Sequence, residues 1–260
     1  MYLNCHTYYS LRYGTYCEES LLRMAQEKGI TRLTLTDINN TSAGLNFVRR
    51  APEFNVRPSL GIDFRNGTRC CFVGIARNNE GYLELNRFLS HHLHNKLPLP
   101  DRAPAVSDAY IIYPFEKVLL EEIKTFAPHE FIGISLRDLR RLPFSRLIEC
   151  REKLVVLQPV TFRNKRDFNA HRLLRAIDNN VLLSKLPESE QASAEDCMYS
   201  LENLATAFSD FSFILENTER LIRNCEIRFD FSARRKPQNL QTYTGNEASD
   251  ARLLIRLCRE

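Results

Sequence analysis

The sequence predicts an α/β fold, either a (β/α) barrel or a doubly wound sheet, because short apolar strands alternate with helices along its 260 residues. Three observations favour this class. Residues 33–36 form a buried-strand run that ends at Asp37. Residues 18–28 place their apolar side chains on one helical face and stop at Gly29. Asn66-Gly67 lies between two β-rich runs and is a strong hairpin signal.

The first half of the chain supplies most of the regular pattern. A first strand ends at His6, and Ser42 is predicted to cap the helix that follows Asp37. Pro58 opens the first strand of the hairpin, and the helix after the hairpin carries Tyr82, Leu85, Phe88 and Leu89 on one side. We therefore expect strands over 2–5, 33–36, 58–64 and 69–76 and helices over 18–28, 43–50 and 79–94.

The second half begins with a proline-rich loop over 95–107 and continues the same alternation. Strands are expected over 109–113, 131–135, 154–158 and 226–229. Helices are expected over 115–126, around 137–141, and over 144–151, 166–177, 201–208, 212–225 and 248–257. The polar stretch 188–196 is predicted to be a mobile loop, and no internal repeat is found.

Composition excludes few function classes. The formal charge of +4 and the pI near 8.6 are compatible with a phosphate-bearing partner without requiring one. Eight cysteines show no C-x-x-C pair, which indicates reduced thiols and a cytoplasmic protein. We expect neither a signal peptide nor a membrane span.

Six segments carry recognisable motifs: residues 3–11, 35–40, 57–63, 76–82, 170–177 and 216–225. In this order along the chain, they resemble motifs of the PHP (polymerase and histidinol phosphatase) domain, in the version found at the N-terminus of bacterial DNA polymerase III alpha subunits. Residues 3–11 are similar to H-x-H-T-x-Y-S-L, residues 35–40 to L-T-D-H-x-N, and residues 57–63 to K-P-I-x-G-x-E. Further matches are residues 76–82 to A-K-N-x-x-G-Y, residues 170–177 to A-H-D-x-L-x-x-I, and residues 216–225 to E-N-T-x-x-I-A-x-x-C.

The resemblance implies a distorted TIM-like (β/α) barrel, with a PHP domain over 1–230 and a connection towards a polymerase palm module over 231–260. In active members, histidine and carboxylate ligands at the carboxyl ends of the strands hold metal ions that activate water against a phosphate ester. This sequence departs from that ligand pattern at Asn4, Tyr13, Ile38, Pro159 and Thr161, and Asp63 replaces a glutamate. No histidine occurs over 69–72.

Only His6 and Asp63 remain plausible ligands, and Asp37 is a further vestigial position. Two ligands are too few for a metal cluster, so we predict no metal or other cofactor in this chain and no phosphoesterase activity. From the residues alone, His6 is more often a hydrogen-bonded structural histidine, and Asp37 more often caps a loop or pairs with an arginine. A packing role is likewise expected for His171.

The implied function is the N-terminal PHP region of a DNA-directed DNA polymerase that uses carboxylate-bound Mg²⁺ outside this segment. The expected partners are the remaining polymerase domains, a proofreading subunit, other replisome proteins, and DNA through the parent. An active metal-dependent phosphoesterase or 3′–5′ proofreading exonuclease is the alternative, and a DNA-binding module is a third. Replication and translesion synthesis both stay open. Basic clusters at 49–50, 137–141 and 163–166 are expected to be solvated or to contact the polymerase. The basic cluster at 234–236 is expected to be part of an interdomain connection.

Overall fold

The computed structural model describes residues 1–118, 120–232 and 242–259. The chain divides into two compact units, Met1–Phe229 and Asp230–Glu260. The first unit contains one eight-stranded sheet. Its strands are β1 (Tyr2–Cys5), β2 (Arg32–Leu35), β3 (Arg57–Asn66), β4 (Arg69–Ala76), β5 (Ala109–Pro114), β6 (Glu130–Ile134), β7 (Leu154–Val156) and β8 (Pro159–Val160).

The strand order is β7-β6-β5-β4-β3-β2-β1-β8. Strands β3 and β4 form the predicted antiparallel hairpin, and Gly67 takes the positive φ of 63° that its turn requires. β4 is also antiparallel to β5, while the other neighbouring pairs are parallel. The carboxyl ends of seven strands and the amino end of β4 therefore share one end of the sheet.

The sheet curls, because its two outermost strands in the hydrogen-bonding order are neighbours in the sequence. Only Leu157 and Gln158 separate β7 from β8, so the two edges lie within about 11 Å of each other. This curled α/β sheet confirms the predicted distorted TIM-like barrel.

The helices of the first unit are α1 (Glu18–Glu27), α2 (Gly44–Arg50), α3 (Asn79–His94), α4 (Leu120–Ile123), α5 (Lys165–Asp178), α6 (Leu201–Ala207) and α7 (Ser212–Arg223). The second unit contains α8 (Glu247–Leu257). Side chains of Asn78, Asn164 and Ser200 accept backbone N–H bonds at the starts of α3, α5 and α6, where the first turn has no intrahelical acceptors. None of the helices in the described residues is long and apolar enough to cross a membrane.

Both faces of the sheet are covered, as expected for mostly parallel strands. Phe72 of β4 belongs to the main core together with Leu21 of α1 and Phe47 of α2. The next residue, Val73, faces the opposite side and packs in a second core with Leu221 of α7. The alternation of strand side chains thus fixes which helix covers which face.

Three of the predicted helices are wrong. Residues 115–117 form a 3₁₀ turn and residues 120–123 the single-turn α4, while residues 138–153 form four short 3₁₀ turns. Pro143 removes a backbone donor, and the side chain of Ser145 accepts the N–H of Leu147, so local side-chain bonds replace a continuous helical ladder.

Two further predictions are also wrong. Ser42 is not a helix cap, because its own N–H donates to Asn40 Oδ1 and α2 begins without a side-chain cap. The predicted strand 226–229 is not a strand, because Glu226 N–H and Arg228 N–H bond to Arg77 and Asn79 instead of a sheet edge. The short strand β8 was not predicted.

Candidate functional site

Polar side chains from β1, β3 and β8 meet at the end of the sheet where these three strands have their carboxyl ends. Asn4 lies on β1 and Asp63 on β3, while His6 and Thr161 follow directly after β1 and β8. The parallel register of these strands brings the four residues together. His6, Asp63 and Thr161 are completely buried, and Asn4 is nearly so.

Asp63 is the centre of this cluster. Its carboxylate accepts two bonds from the guanidinium of Arg65, at 2.9 Å from Nε to Oδ1 and 2.7 Å from Nη2 to Oδ2. His6 Nε2 lies 3.0 Å from Oδ2, and Asn4 Nδ2 donates to the same oxygen at 3.3 Å. Burial alone would raise the pKa of Asp63, but the charge of Arg65 and the bonds from Arg65 and His6 hold that pKa well below its ordinary value.

The remaining atoms of the cluster are also paired. His6 Nδ1 lies 3.0 Å from Thr161 Oγ1, so both ring nitrogens have partners. Thr36 Oγ1 donates to Asn4 Oδ1 at 2.9 Å and accepts the N–H of Cys5. The Arg65 guanidinium also lies over the ring of Tyr13, 4.9 Å from the centroid. The buried guanidinium therefore contacts an aromatic ring with one face and the Asp63 carboxylate through its N–H groups.

Asp37, just beyond β2, forms a separate arrangement. It accepts Thr7 N–H at 2.6 Å, Ser10 Oγ–H at 2.7 Å and Thr7 Oγ1–H at 2.7 Å. These bonds close the turn after β1 onto the end of β2. Burial raises the pKa of Asp37, and the hydrogen bonds from Thr7 and Ser10 oppose that rise. Asp37 thus serves as a loop cap, with neutral donors as its hydrogen-bond partners.

His171 of α5 is a structural residue in the same region. Ala192 N–H donates to Nε2 at 3.0 Å, so the proton must be on Nδ1, which donates to the Tyr13 carbonyl at 2.7 Å. Burial lowers the pKa of His171 to about 4. The stretch 188–196, predicted to be a mobile loop, buries Ala192 and Asp196 and is held to α5 by this histidine.

A cleft of about 410 Å³ opens at this end of the sheet and is bordered by Asn4, Tyr13 and Arg65. Its wall also carries Asp196, which is buried and has Arg137 Nη2 3.4 Å from its carboxylate. Burial raises the pKa of Asp196 to about 6, an effect that the charge of Arg137 opposes. The cleft is polar, with the arginines outnumbering the acidic residues: Arg65, Arg69, Arg137 and Arg141 against Glu116, Asp138 and Asp196.

Of the site residues singled out in the sequence, His6 and Asp63 are in contact, whereas Asp37 bonds to Thr7 and Ser10. Sequence reasoning missed Arg65 and Asp196. Arg65 was detectable, because residues i and i+2 of a strand point to the same face and Asp63 was already a candidate. Asp196 carried no comparable signal, since it follows an irregular segment distant in sequence.

The basic clusters are largely paired where the structure describes them. Arg50 bonds to Glu19 at 2.6 Å, and Arg163 bonds to Asp167 at 2.6 Å. Arg140 is different, because within the described ranges its side chain has neither a hydrogen bond nor an ion pair. The cluster at 234–236 lies outside the described residues.

Residues 3–126 match the PHP domain family. The chain is 23% identical over 262 residues to the DNA polymerase III subunit alpha of Haemophilus influenzae, and 22% identical over 275 residues to that of Escherichia coli (strain K12). Both alignments cover 87% of this chain and 23% of the relative. The subunit of Ureaplasma parvum is 24% identical over 262 residues, covering 98% of this chain and 24% of the relative.

The chain thus spans about a quarter of the length of these curated relatives. The matches confirm the resemblance that the motifs at 3–11, 35–40 and 57–63 predict: residues 3–126 are similar to the PHP domain family, and the chain is similar along most of its length to DNA polymerase III alpha subunits.

Proposed function

We propose that this chain is the N-terminal PHP region, over residues 1–230, of a DNA polymerase III alpha-like DNA polymerase, followed by a connection over 231–260. Within that polymerase the region is a structural module without hydrolytic activity of its own. Its similarity to alpha subunits supports the first part of the proposal. The contacts of Asp63 support the second.

The single observation that carries the structural role is the ion pair between Asp63 and Arg65. A carboxylate that binds a metal needs a free oxygen, and here both oxygens face one guanidinium at 2.7 and 2.9 Å. A side-chain cation therefore neutralises the charge of Asp63, which is the role a metal ion would have in an active PHP site. Asp63 and Arg65 are both buried, so this pairing is shielded from solvent.

The surrounding donor set does not fit a metal cluster either. His6 is the nearest imidazole, and each of its nitrogens already faces a hydrogen-bond partner. Asn4 and Thr161 are weak ligands compared with the histidine or carboxylate that the family motifs have at these positions. Within 1–118, 120–232 and 242–259, no group of three His, Cys, Asp or Glu side chains is arranged to hold a metal ion.

As a structural module, the region would contact the remaining polymerase domains and offer a surface to a proofreading subunit and other replisome proteins. Nucleotide transfer would use Mg²⁺ bound to carboxylates elsewhere in the parent, with DNA held through that parent. The expected location is the cytoplasm. Both the main replicase and a translesion paralogue are consistent with this role.

Metal analysis combined with hydrolysis assays tests the proposal. We expect the purified chain, after dialysis, to contain far less than one equivalent of Zn, Mn or Fe and to hydrolyse neither p-nitrophenyl phosphate nor 3′-labelled DNA. Stoichiometric metal together with either activity, both lost in Asp63→Asn, would establish the phosphoesterase or exonuclease alternative instead. Activity that survives Asp63→Asn would come from another site or from a contaminant.

A rebuilt variant provides the matched comparison. Asn4→His and Ile38→His restore the imidazoles of the family motifs, and Arg65→Gln removes the competing cation. Because Ile38 lies directly beside Asp63 in a parallel bridge, the new ligands would be near the carboxylate. We expect Zn²⁺ to raise the melting temperature of this triple variant and to leave that of the wild type unchanged.

A further inference from the structure

An open groove lies beside the cleft, between the turn after β5 and the 3₁₀ turns of the 140–147 segment. We call it the Phe144 groove and define it by its lining residues Phe115, Val118, Arg140, Arg141, Phe144 and Leu147. Its volume is about 440 Å³. The groove thus combines apolar walls with two guanidinium groups.

Phe144 is unusual because 91% of its side chain is exposed. Burying a phenylalanine contributes about 1.5–3 kcal/mol, so the isolated fold gains nothing from this ring. The other phenylalanines of the described first unit are all less exposed. An aromatic ring presented to solvent at the edge of a groove is available for a contact with a planar partner.

Among the side chains that the structure describes, the two arginines beside Phe144 also have no carboxylate partner. No acidic oxygen of the described residues lies within 4.0 Å of Arg140 or Arg141, and the Arg141 guanidinium lies 5.7 Å from the centroid of the Phe115 ring. Their neighbours differ, because Arg137 and Arg146 are paired with Asp196 and Glu149 at 3.4 and 3.3 Å. Within the described part of the chain, the groove therefore has two guanidinium groups that form no ion pair.

We propose that the Phe144 groove binds single-stranded nucleic acid, with a base stacked on Phe144 and backbone phosphates at Arg140 and Arg141. A nucleotide strand offers a flat aromatic face and a negative charge at every step, which matches an exposed ring beside unpaired guanidinium groups. Glu116, the acidic residue of the groove, opposes phosphate binding. This function goes beyond the structural role proposed above and does not depend on it.

Fluorescence anisotropy of the whole chain with a labelled oligothymidylate about 12 nucleotides long tests the inference. If Arg140 and Arg141 neutralise two phosphates, the affinity for the oligonucleotide should fall about sevenfold between about 50 and about 200 mM salt. Phe144→Ala should weaken binding about tenfold for oligothymidylate and leave binding of an abasic strand of equal length unchanged. Arg140→Ala/Arg141→Ala should weaken both ligands, and Glu116→Gln should tighten both.

Two variants serve as controls. Arg57→Ala/Arg87→Ala removes two exposed arginines of β3 and α3, equal in charge to the groove pair, and should leave the affinity nearly unchanged. Phe144→Trp should retain stacking and restore the affinity. Absence of binding, equal losses in the two arginine double variants, or an unaltered affinity of Phe144→Ala would overturn the proposal, as would equally tight binding of the abasic strand.

Discussion

Asp37 and Asp63 are two buried carboxylates at the same end of the sheet, and their surroundings differ in one respect. Asp37 accepts its hydrogen bonds from uncharged donors of Thr7 and Ser10. Asp63 faces the guanidinium of Arg65. Burial raises the pKa of Asp37, whereas the charge of Arg65 reverses the same burial effect and lowers the pKa of Asp63.

The difference shows what each position requires. At Asp37 the three donors belong to one turn, so the carboxylate acts mainly as an acceptor that fixes the turn after β1. At Asp63 the negative charge itself must be compensated, because a buried ion without a counter-ion is very costly. Arg65 meets this requirement at Asp63.

Removing Arg65 should have the largest effect. Arg65→Ala leaves Asp63 buried with only His6 and Asn4, so we expect the free energy of unfolding to fall by about 3–5 kcal/mol, measured by urea denaturation. Arg12→Ala is the matched control, because Arg12 forms an exposed ion pair with Asp178. The control should lose less than about 1 kcal/mol.

A double-mutant cycle separates the ion pair from general packing. Arg65→Ala combined with Asp63→Asn removes both charges, so the combined loss should be clearly smaller than the sum of the two single losses. Additive losses would mean that the guanidinium stabilises the fold through its contact with Tyr13 and not through Asp63.

The same isosteric change at the two aspartates tests the comparison directly. Asp37→Asn retains an oxygen for Thr7 N–H and Ser10 Oγ–H, and its new NH₂ group can donate to Thr7 Oγ1, so we expect a loss of about 1 kcal/mol. Asp63→Asn leaves Arg65 buried without a counter-ion and should cost about 2–4 kcal/mol more. Equal losses in urea denaturation would contradict the distinction between the two positions.

Much of the fold was predictable because it depends on local patterns. The spacing of apolar residues located α3 and α7 closely, and Asn66-Gly67 located the hairpin. The helix prediction for 137–151 failed because the apolar spacing there is helical, while Pro143 and the bond from Leu147 N–H to the Ser145 side chain favour short turns. Predicting the barrel as a whole depended on the family resemblance.

The site was predictable only in part. The motifs identified His6, Asp37 and Asp63, and the alternation along β3 would have added Arg65. Asp196 could not have been identified in this way, because it reaches the cleft through the backbone bonds that its carbonyl accepts from Thr161 and Phe162. A contact between irregular segments leaves no repeating pattern in the sequence from which it could be predicted.

Asp196 sharpens the comparison as a third buried carboxylate, whose charged neighbour, Arg137, is more distant at 3.4 Å and largely exposed. Its pKa of about 6 in the folded chain exceeds the ordinary value of 3.8, so the folded state holds the proton more tightly. Stability from this group is greatest at low pH and falls as the pH rises towards 6. The size of this effect is at most about 3 kcal/mol.

The contribution of His171 to the free energy of unfolding depends on pH in the opposite direction. Its pKa of about 4 lies below the ordinary value of 6.5, so its contribution is complete above pH 6.5 and is lost as the pH falls towards 4. The two slopes oppose each other over this range. Relative to the wild type, Asp196→Asn should therefore make the slope of the unfolding free energy against pH more positive, and His171→Gln should make it more negative. The pKa of Asp37 is raised in both variants, so the contribution of Asp37 to the pH dependence cancels when the two profiles are compared. Parallel profiles from urea denaturation between pH 4 and 6.5 would contradict the lowered pKa of His171 and the raised pKa of Asp196.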